Sequence, residues 1–111
     1  MPHLILEHNS DEDDLVRYVC KKLHGCLSKQ ETVNIETIKT RSCKVDSLIL
    51  GEGREFSLFA HLTLKLLPGR SDDLKGKISE RLLDTMKKAF RKEGQFSVEL
   101  LELKFYTKTK S

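Results

Sequence analysis

The chain has 111 residues, enough for one domain with one core over residues 1–111; 38% of them are hydrophobic and 33% charged. No apolar run reaches membrane length, which argues against a spanning segment, and the charge is enough to cover the surface of a small domain. The net charge of +3 spreads along the chain, and the acidic group "DEDD" at Asp11 to Asp14 roughly offsets a lysine-rich end from Lys104 to Lys110. This is too mild and too dispersed for a nucleic-acid surface, and it suits a small anionic ligand.

Cys20, Cys26 and Cys43 make an odd count without paired spacing. That argues against a disulfide framework and for a reducing compartment. The N-terminus lacks a charged region, an apolar stretch and a small-residue cleavage site, so the expected location is the cytoplasm.

In chain order, His3 to Glu7 reads as a short strand. Ser10 is suited to cap a helix, and the acids after it suit a helix's positive end. Leu15, Val19, Leu23 and Leu27 recur at helical spacing, with Val16 widening the stripe and Gly25 either ending the helix or sitting in its last turn. The stretch from Glu31 to Thr37 is ambiguous. Strand-forming residues return from Ile38 to Leu50, and "GEG" at Gly51 to Gly53 marks a turn.

The clearest strand is "LFAHLTLKL", where Leu58, Ala60, Leu62, Leu64 and Leu66 alternate with Phe59, His61, Thr63 and Lys65. Its apolar face must meet helices; its mixed face meets water or a neighbouring subunit. Ser71 caps a second helix whose inner face is Leu74, Ile78, Leu82, Met86 and Ala89, with Phe90 beside it and Gly94 as the stop. Val98, Leu100, Leu103 and Phe105 mark a last strand, with a phase change at Leu100–Leu101 that suggests a bulge. The tail "YTKTKS" reads as polar and loose. The expected fold is therefore α+β: two β-α-β units forming a four-stranded mixed sheet, with both helices on one face. The bare opposite face invites oligomerisation.

Three places can carry chemistry. Pro2 would present a secondary amine if Met1 were removed. An α-amino group titrates near ~8. A cation ~6 Å away at an effective dielectric of ~20 disfavours its protonation by about 3 kcal/mol, roughly two pKa units. A buried Pro2 beside Lys or Arg is then a base at neutral pH; the plain alternative is a structural proline. Arg70 stands just before the cap of the second helix, where an anion is favoured and a guanidinium fork suits a carboxylate. The plain alternative is a surface pair with Asp72 or Asp73. Lys39 and Arg41, two apart on a strand, point to one face and can hold a dianion, or simply form a solvated edge.

Other constellations are weaker. Cys20, His24 and Cys26 lack the spacing and the fourth ligand of a metal site, so no metal is expected. His61 reads as a packed or interface residue. No Ser-His-Asp order, P-loop or dinucleotide motif is present.

Taken together, these places resemble one family. "MPHLILEH" is similar to the start of the 5-carboxymethyl-2-hydroxymuconate isomerases, a branch of the tautomerase superfamily. The block "IKTRSCKVDSLILGEGREFSLFAHLTLKLLPGRS" resembles that family's centre, above all in Val45-Asp46, His61 to Lys65 and Gly69 to Ser71. The resemblance implies a tautomerase-like fold, a homotrimer with the sheets inside, and an amino-terminal proline base falling on Pro2. It places carboxylate-binding residues on Arg70 and Lys39. Lys39 departs from the family's arginine: it keeps the charge and loses the fork. Arg41 matches a further arginine of the family. The implied activity is cofactor-independent ketonisation of a 2-hydroxymuconate-type dienol, a di- or tricarboxylate, in aromatic catabolism. Neither nucleic acid nor membrane is an expected partner. The rival reading is a non-catalytic oligomeric or small-ligand-binding protein on the same fold.

Overall fold

The computed structural model describes residues 2–53 and 57–109. The described residues form β1 (His3–His8), α1 (Asp13–Ser28), β2 (Lys39–Lys44), β3 (Leu58–Leu66), α2 (Asp72–Phe90) and β4 (Gly94–Glu102), with a 3-10 turn at Ile35–Thr37 before β2. The four strands form one sheet in the order β2-β1-β3-β4. β1 runs parallel to β2 and antiparallel to β3, and β3 runs parallel to β4. Each parallel pair is joined by a helix, as a parallel crossover requires. This is the mixed four-stranded sheet anticipated from the element order.

Period-two alternation decides which face is covered. Leu4 and Leu6 of β1 and Ala60, Leu62, Leu64 and Leu66 of β3 are buried on the helix side. Against them lie Val16, Val19, Leu23 and Leu27 of α1 and Ile78, Leu82, Met86, Ala89 and Phe90 of α2. Burying each such leucine contributes ~1.5–3 kcal/mol, so this one layer carries the fold. Phe90 stacks on Phe96 of β4 with ring centroids 5.5 Å apart.

Several local expectations need correction. α1 starts at Asp13, not beside Ser10. Ser10 Oγ instead accepts the Glu12 N–H at 3.1 Å and forms a turn ahead of the helix. Gly25 sits in the last turn of α1, the second of its two expected placements, and the helix runs on to Ser28. β2 ends at Lys44, well short of Leu50. α2 stops at Phe90 because Arg91 turns left-handed, with φ 56°; Gly94 opens β4, where a side chain would lie 2.5 Å from the Leu58 carbonyl oxygen. β4 keeps unbroken register with β3 through Leu100 and Leu101, so there is no bulge. Leu101 simply faces the open side of the sheet, and Phe105 lies beyond the strand, 87% exposed. Ser71 does cap α2, its Oγ accepting the Leu74 N–H at 3.2 Å.

Candidate active site

Pro2 stands at the head of β1 and is buried. Proline suits the first position of a strand because it has no N–H to place in the ladder. Its carbonyl accepts the backbone N–H of Lys39 at 2.9 Å. The next residue, His3, pairs with Lys39 on one side and Lys65 on the other. Two lysines and an imidazole therefore make one row across the open sheet face, one residue along from Pro2.

Arg41 occupies the following row on the same face. Its Nη1 lies 3.0 Å from His3 Nδ1. Burial, aided by Arg41 and then Lys39 and Lys65, holds the His3 ring below its ordinary pKa. Lys39 Nζ donates to the Thr37 carbonyl at 3.3 Å. Lys39 and Arg41 thus share a face, and both are exposed on an edge strand.

Arg70 lies in the loop leaving β3, at the same end of the sheet as Pro2. It does not pair with Asp72 or Asp73; these bind Lys75 and Lys77 instead. Its guanidinium is held by Thr32, with Nε donating to Oγ1 at 3.0 Å and Nη2 to the carbonyl at 2.8 Å, and Nη1 reaches the Leu67 carbonyl at 3.4 Å. The fold thus places Lys39 across from the head of β1, its backbone N–H bonded to the Pro2 carbonyl, sets Arg41 opposite Ile5 on the open face, and carries Arg70 to the same end, tied to the segment between α1 and β2.

Two features were not legible in advance. Tyr106, in the stretch read as loose, packs edge-on against His3 with ring centroids 5.6 Å apart and its hydroxyl 3.1 Å from His3 Nε2. His61 sits between Ser97 Oγ at 2.6 Å from Nδ1 and Glu99 Oε1 at 2.8 Å from Nε2. The hydrogen bond from His61, and then one from Thr63, hold the Glu99 carboxyl below its usual pKa. The only hint of that cluster in the chain is the alternation that puts His61 on the mixed face.

A groove of about 610 Å³ between the helices is lined by Lys21, Lys22, Lys29 and Arg81 among others and includes none of the four candidate residues. Among the described residues no group of three or more His, Cys, Asp or Glu is placed to hold a metal ion. Cys20, His24 and Cys26 do not converge; His24 Nδ1 turns to Thr40 Oγ1 at 2.7 Å. No described helix is long and apolar enough to cross a membrane.

Paired β-α-β units with a basic strand head define a tautomerase-like protein, and the comparisons with known proteins agree. The sequence pattern of the family described as 5-carboxymethyl-2-hydroxymuconate isomerase matches residues 2–110. The chain belongs to that family of isomerases. Among solved structures, it is similar to a 5-carboxymethyl-2-hydroxymuconate isomerase from Deinococcus radiodurans, with 23% identity, 98% of this chain and 90% of that one covered, and a TM-score of 0.82. A 5-carboxymethyl-2-hydroxymuconate delta-isomerase shares 15% identity over 100% of this chain and 88% of its own, with a TM-score of 0.84. A fused 4-OT protein described as a symmetric trimer shares 14% identity over 91% and 85%, with a TM-score of 0.76. A search of curated protein sequences returned no match.

Proposed function

We infer that the chain ketonises a 2-hydroxymuconate-type dienol, using the Pro2 nitrogen as the proton carrier. Met1, whose removal would free that nitrogen, lies outside the described residues. The observation that carries the reading is the burial of Pro2 at a strand head, with its carbonyl bonded to the Lys39 N–H and with Lys39 and Lys65 flanking the next residue, His3. Burial disfavours a protonated amine, which is what a base working at neutral pH needs.

In this scheme the Pro2 lone pair takes the proton from the substrate's 2-hydroxyl. The enol electrons shift along the conjugated chain. A distant carbon takes up a proton from Pro2, or from water through Pro2, and the conjugated ketone results. Nothing is oxidised, and no metal or organic cofactor is needed. Arg70, Lys39 and Arg41 bind carboxylates and stabilise the negative charge that develops on oxygen. The chain works as a cytoplasmic homotrimer in aromatic catabolism; support for the trimer comes from the trimeric similar protein and the uncovered sheet face.

Two measurements test the reading. Intact mass must show loss of Met1, since retention removes the base. Ketonisation of 2-hydroxymuconate must fall sharply in Pro2→Ala; equal rates in variant and wild type would instead favour a non-catalytic ligand-binding protein on this fold.

A further inference from the structure

The segment after β4 does not trail into solvent. Leu103 N–H donates to the Leu66 carbonyl at 2.7 Å, which keeps the chain beside the end of β3. Three residues later Tyr106 has crossed to the head of β1 and meets His3. The C-terminal segment is thus a strap over the end of the sheet that carries Pro2.

The direction of the hydrogen bonds in this strap follows from chemistry. Arg41 is always protonated and has no acceptor, so in its 3.0 Å contact with His3 Nδ1 the guanidinium donates. His3 Nδ1 therefore carries no proton, and in the neutral ring the hydrogen sits on Nε2. That N–H faces the Tyr106 hydroxyl oxygen at 3.1 Å and donates to it. Arg41, His3 and Tyr106 form one directional chain drawn from β2, β1 and the C-terminal segment. Among the described residues, the charged and titratable groups facing His3 are Arg41 and Lys39 from β2, Lys65 from β3 and Tyr106 from the strap. Among the described residues no carboxylate faces it, so none of them favours the imidazolium. A protonated ring would set two donors, Nδ1–H and Nη1–H, against each other and release Arg41.

We propose that His3 and Tyr106 are positioning residues: they fix the exposed Arg41 guanidinium on the open face near the head of β1 in the orientation that receives a substrate carboxylate. The inference rests on the reading of Arg41 as a substrate-binding residue. Left on an exposed edge strand, Arg41 would sample many rotamers and lose that freedom on binding. Held by one N–H on His3, it keeps its other donors for the anion. The Tyr106 hydroxyl, by fixing the imidazole, sets the arginine at one remove.

The test uses trans,trans-muconate, a dicarboxylate that cannot ketonise, as a calorimetric probe, and Tyr106→Phe, which keeps the ring and deletes the hydroxyl. Wild type binds the probe; Tyr106→Phe binds it about fivefold more weakly, as loss of one neutral hydrogen bond in the chain implies. With 2-hydroxymuconate the same variant raises KM by a similar factor and leaves kcat unchanged. Equal affinity in Tyr106→Phe and wild type, or no muconate binding by wild type, overturns the proposal; a role in ring packing alone would spare Tyr106→Phe and weaken only Tyr106→Ala. Independently, a long-range proton–nitrogen NMR spectrum at pH 7.5, with the His3 signals assigned from His3→Asn, must show the hydrogen on Nε2. A hydrogen on Nδ1 breaks the chain and overturns the proposal whatever the activity. A wild type that binds muconate but turns over no 2-hydroxymuconate counts against the Pro2 chemistry alone, and the comparison with Tyr106→Phe still decides this inference.

Discussion

Pro2, just ahead of β1, and His8, its last residue, begin and end one buried stripe, and each has a distinct consequence. A positioned proton carrier is worth ~10²–10⁴ in rate. Pro2→Ala is therefore expected to lower kcat for 2-hydroxymuconate by at least ~100-fold, measured by the appearance of the conjugated ketone. At the other end, His8 Nδ1 accepts the Ser10 N–H at 3.1 Å. Burial, helped by Lys44 and opposed by Asp13, holds its pKa below 6.5. The folded protein binds this proton more weakly than the unfolded chain does. The stabilising share of His8 is thus complete above the unfolded pKa and is lost as pH falls through the lowered folded one. His3, lowered by burial and by Arg41, acts with the same sign. Thermal midpoints should decline on acidification below pH ~6.5, and His8→Asn, which retains an acceptor for Ser10, should make that decline shallower. An unchanged slope would remove His8 from this account.

At the scale of the element, the two helices show how differently two serines act. Ser71 is one residue from α2, in extended backbone, and its hydroxyl reaches Leu74 N. Ser71→Ala should cost about 1 kcal/mol in chemical denaturation. Ser10 has the same chemistry but lies three residues before Asp13, so its hydroxyl satisfies Glu12 N and leaves α1 without a side-chain cap. Gly94 is set by a close approach, not by backbone strain. An added methyl would meet the Leu58 carbonyl oxygen, the residue paired with Gly94 at the start of the β3–β4 ladder. Gly94→Ala should destabilise by ~1–3 kcal/mol, with fraying at that end of β4 visible in hydrogen exchange.

Across the whole molecule, one face of the sheet carries the core and the other carries Lys39, Lys65, Arg41 and a set of polar clusters. Leu101 is 43% exposed on that second face, in line with Lys65. If the trimer closes over this face, sedimentation equilibrium should return about three times the chain mass of 12.8 kDa. Leu101→Asp, which adds a charge that burial would have to desolvate, should then shift the protein toward a single copy with unchanged helix content. A wild type that sediments as one chain would sink the homotrimer.

Periodicity was enough for the architecture. Leu58 to Leu66 alternates so regularly, and Ile78, Leu82 and Met86 recur so evenly, that only a sheet with helices on one face can bury both. Local chemistry was enough for the Ser71 cap and for the turn at Gly51–Gly53, where both glycines have positive φ. The same local reasoning misplaced the start of α1 and invented a bulge at Leu100–Leu101. Hydrophobicity does not distinguish a strand that changes phase from one whose open face carries an apolar side chain. Pro2, Lys39, Arg41 and Arg70 could each be named from residue type and neighbours in the chain. Their meeting at one end of the sheet is a matter of register: the pairs His3–Lys39 and His3–Lys65 join residues far apart in sequence. Tyr106 lies 103 positions from His3, in a polar stretch with no periodic signal. Only the path of the chain after β4 brings its hydroxyl to the imidazole, because that contact depends on where two distant backbones end and on no property either residue carries alone.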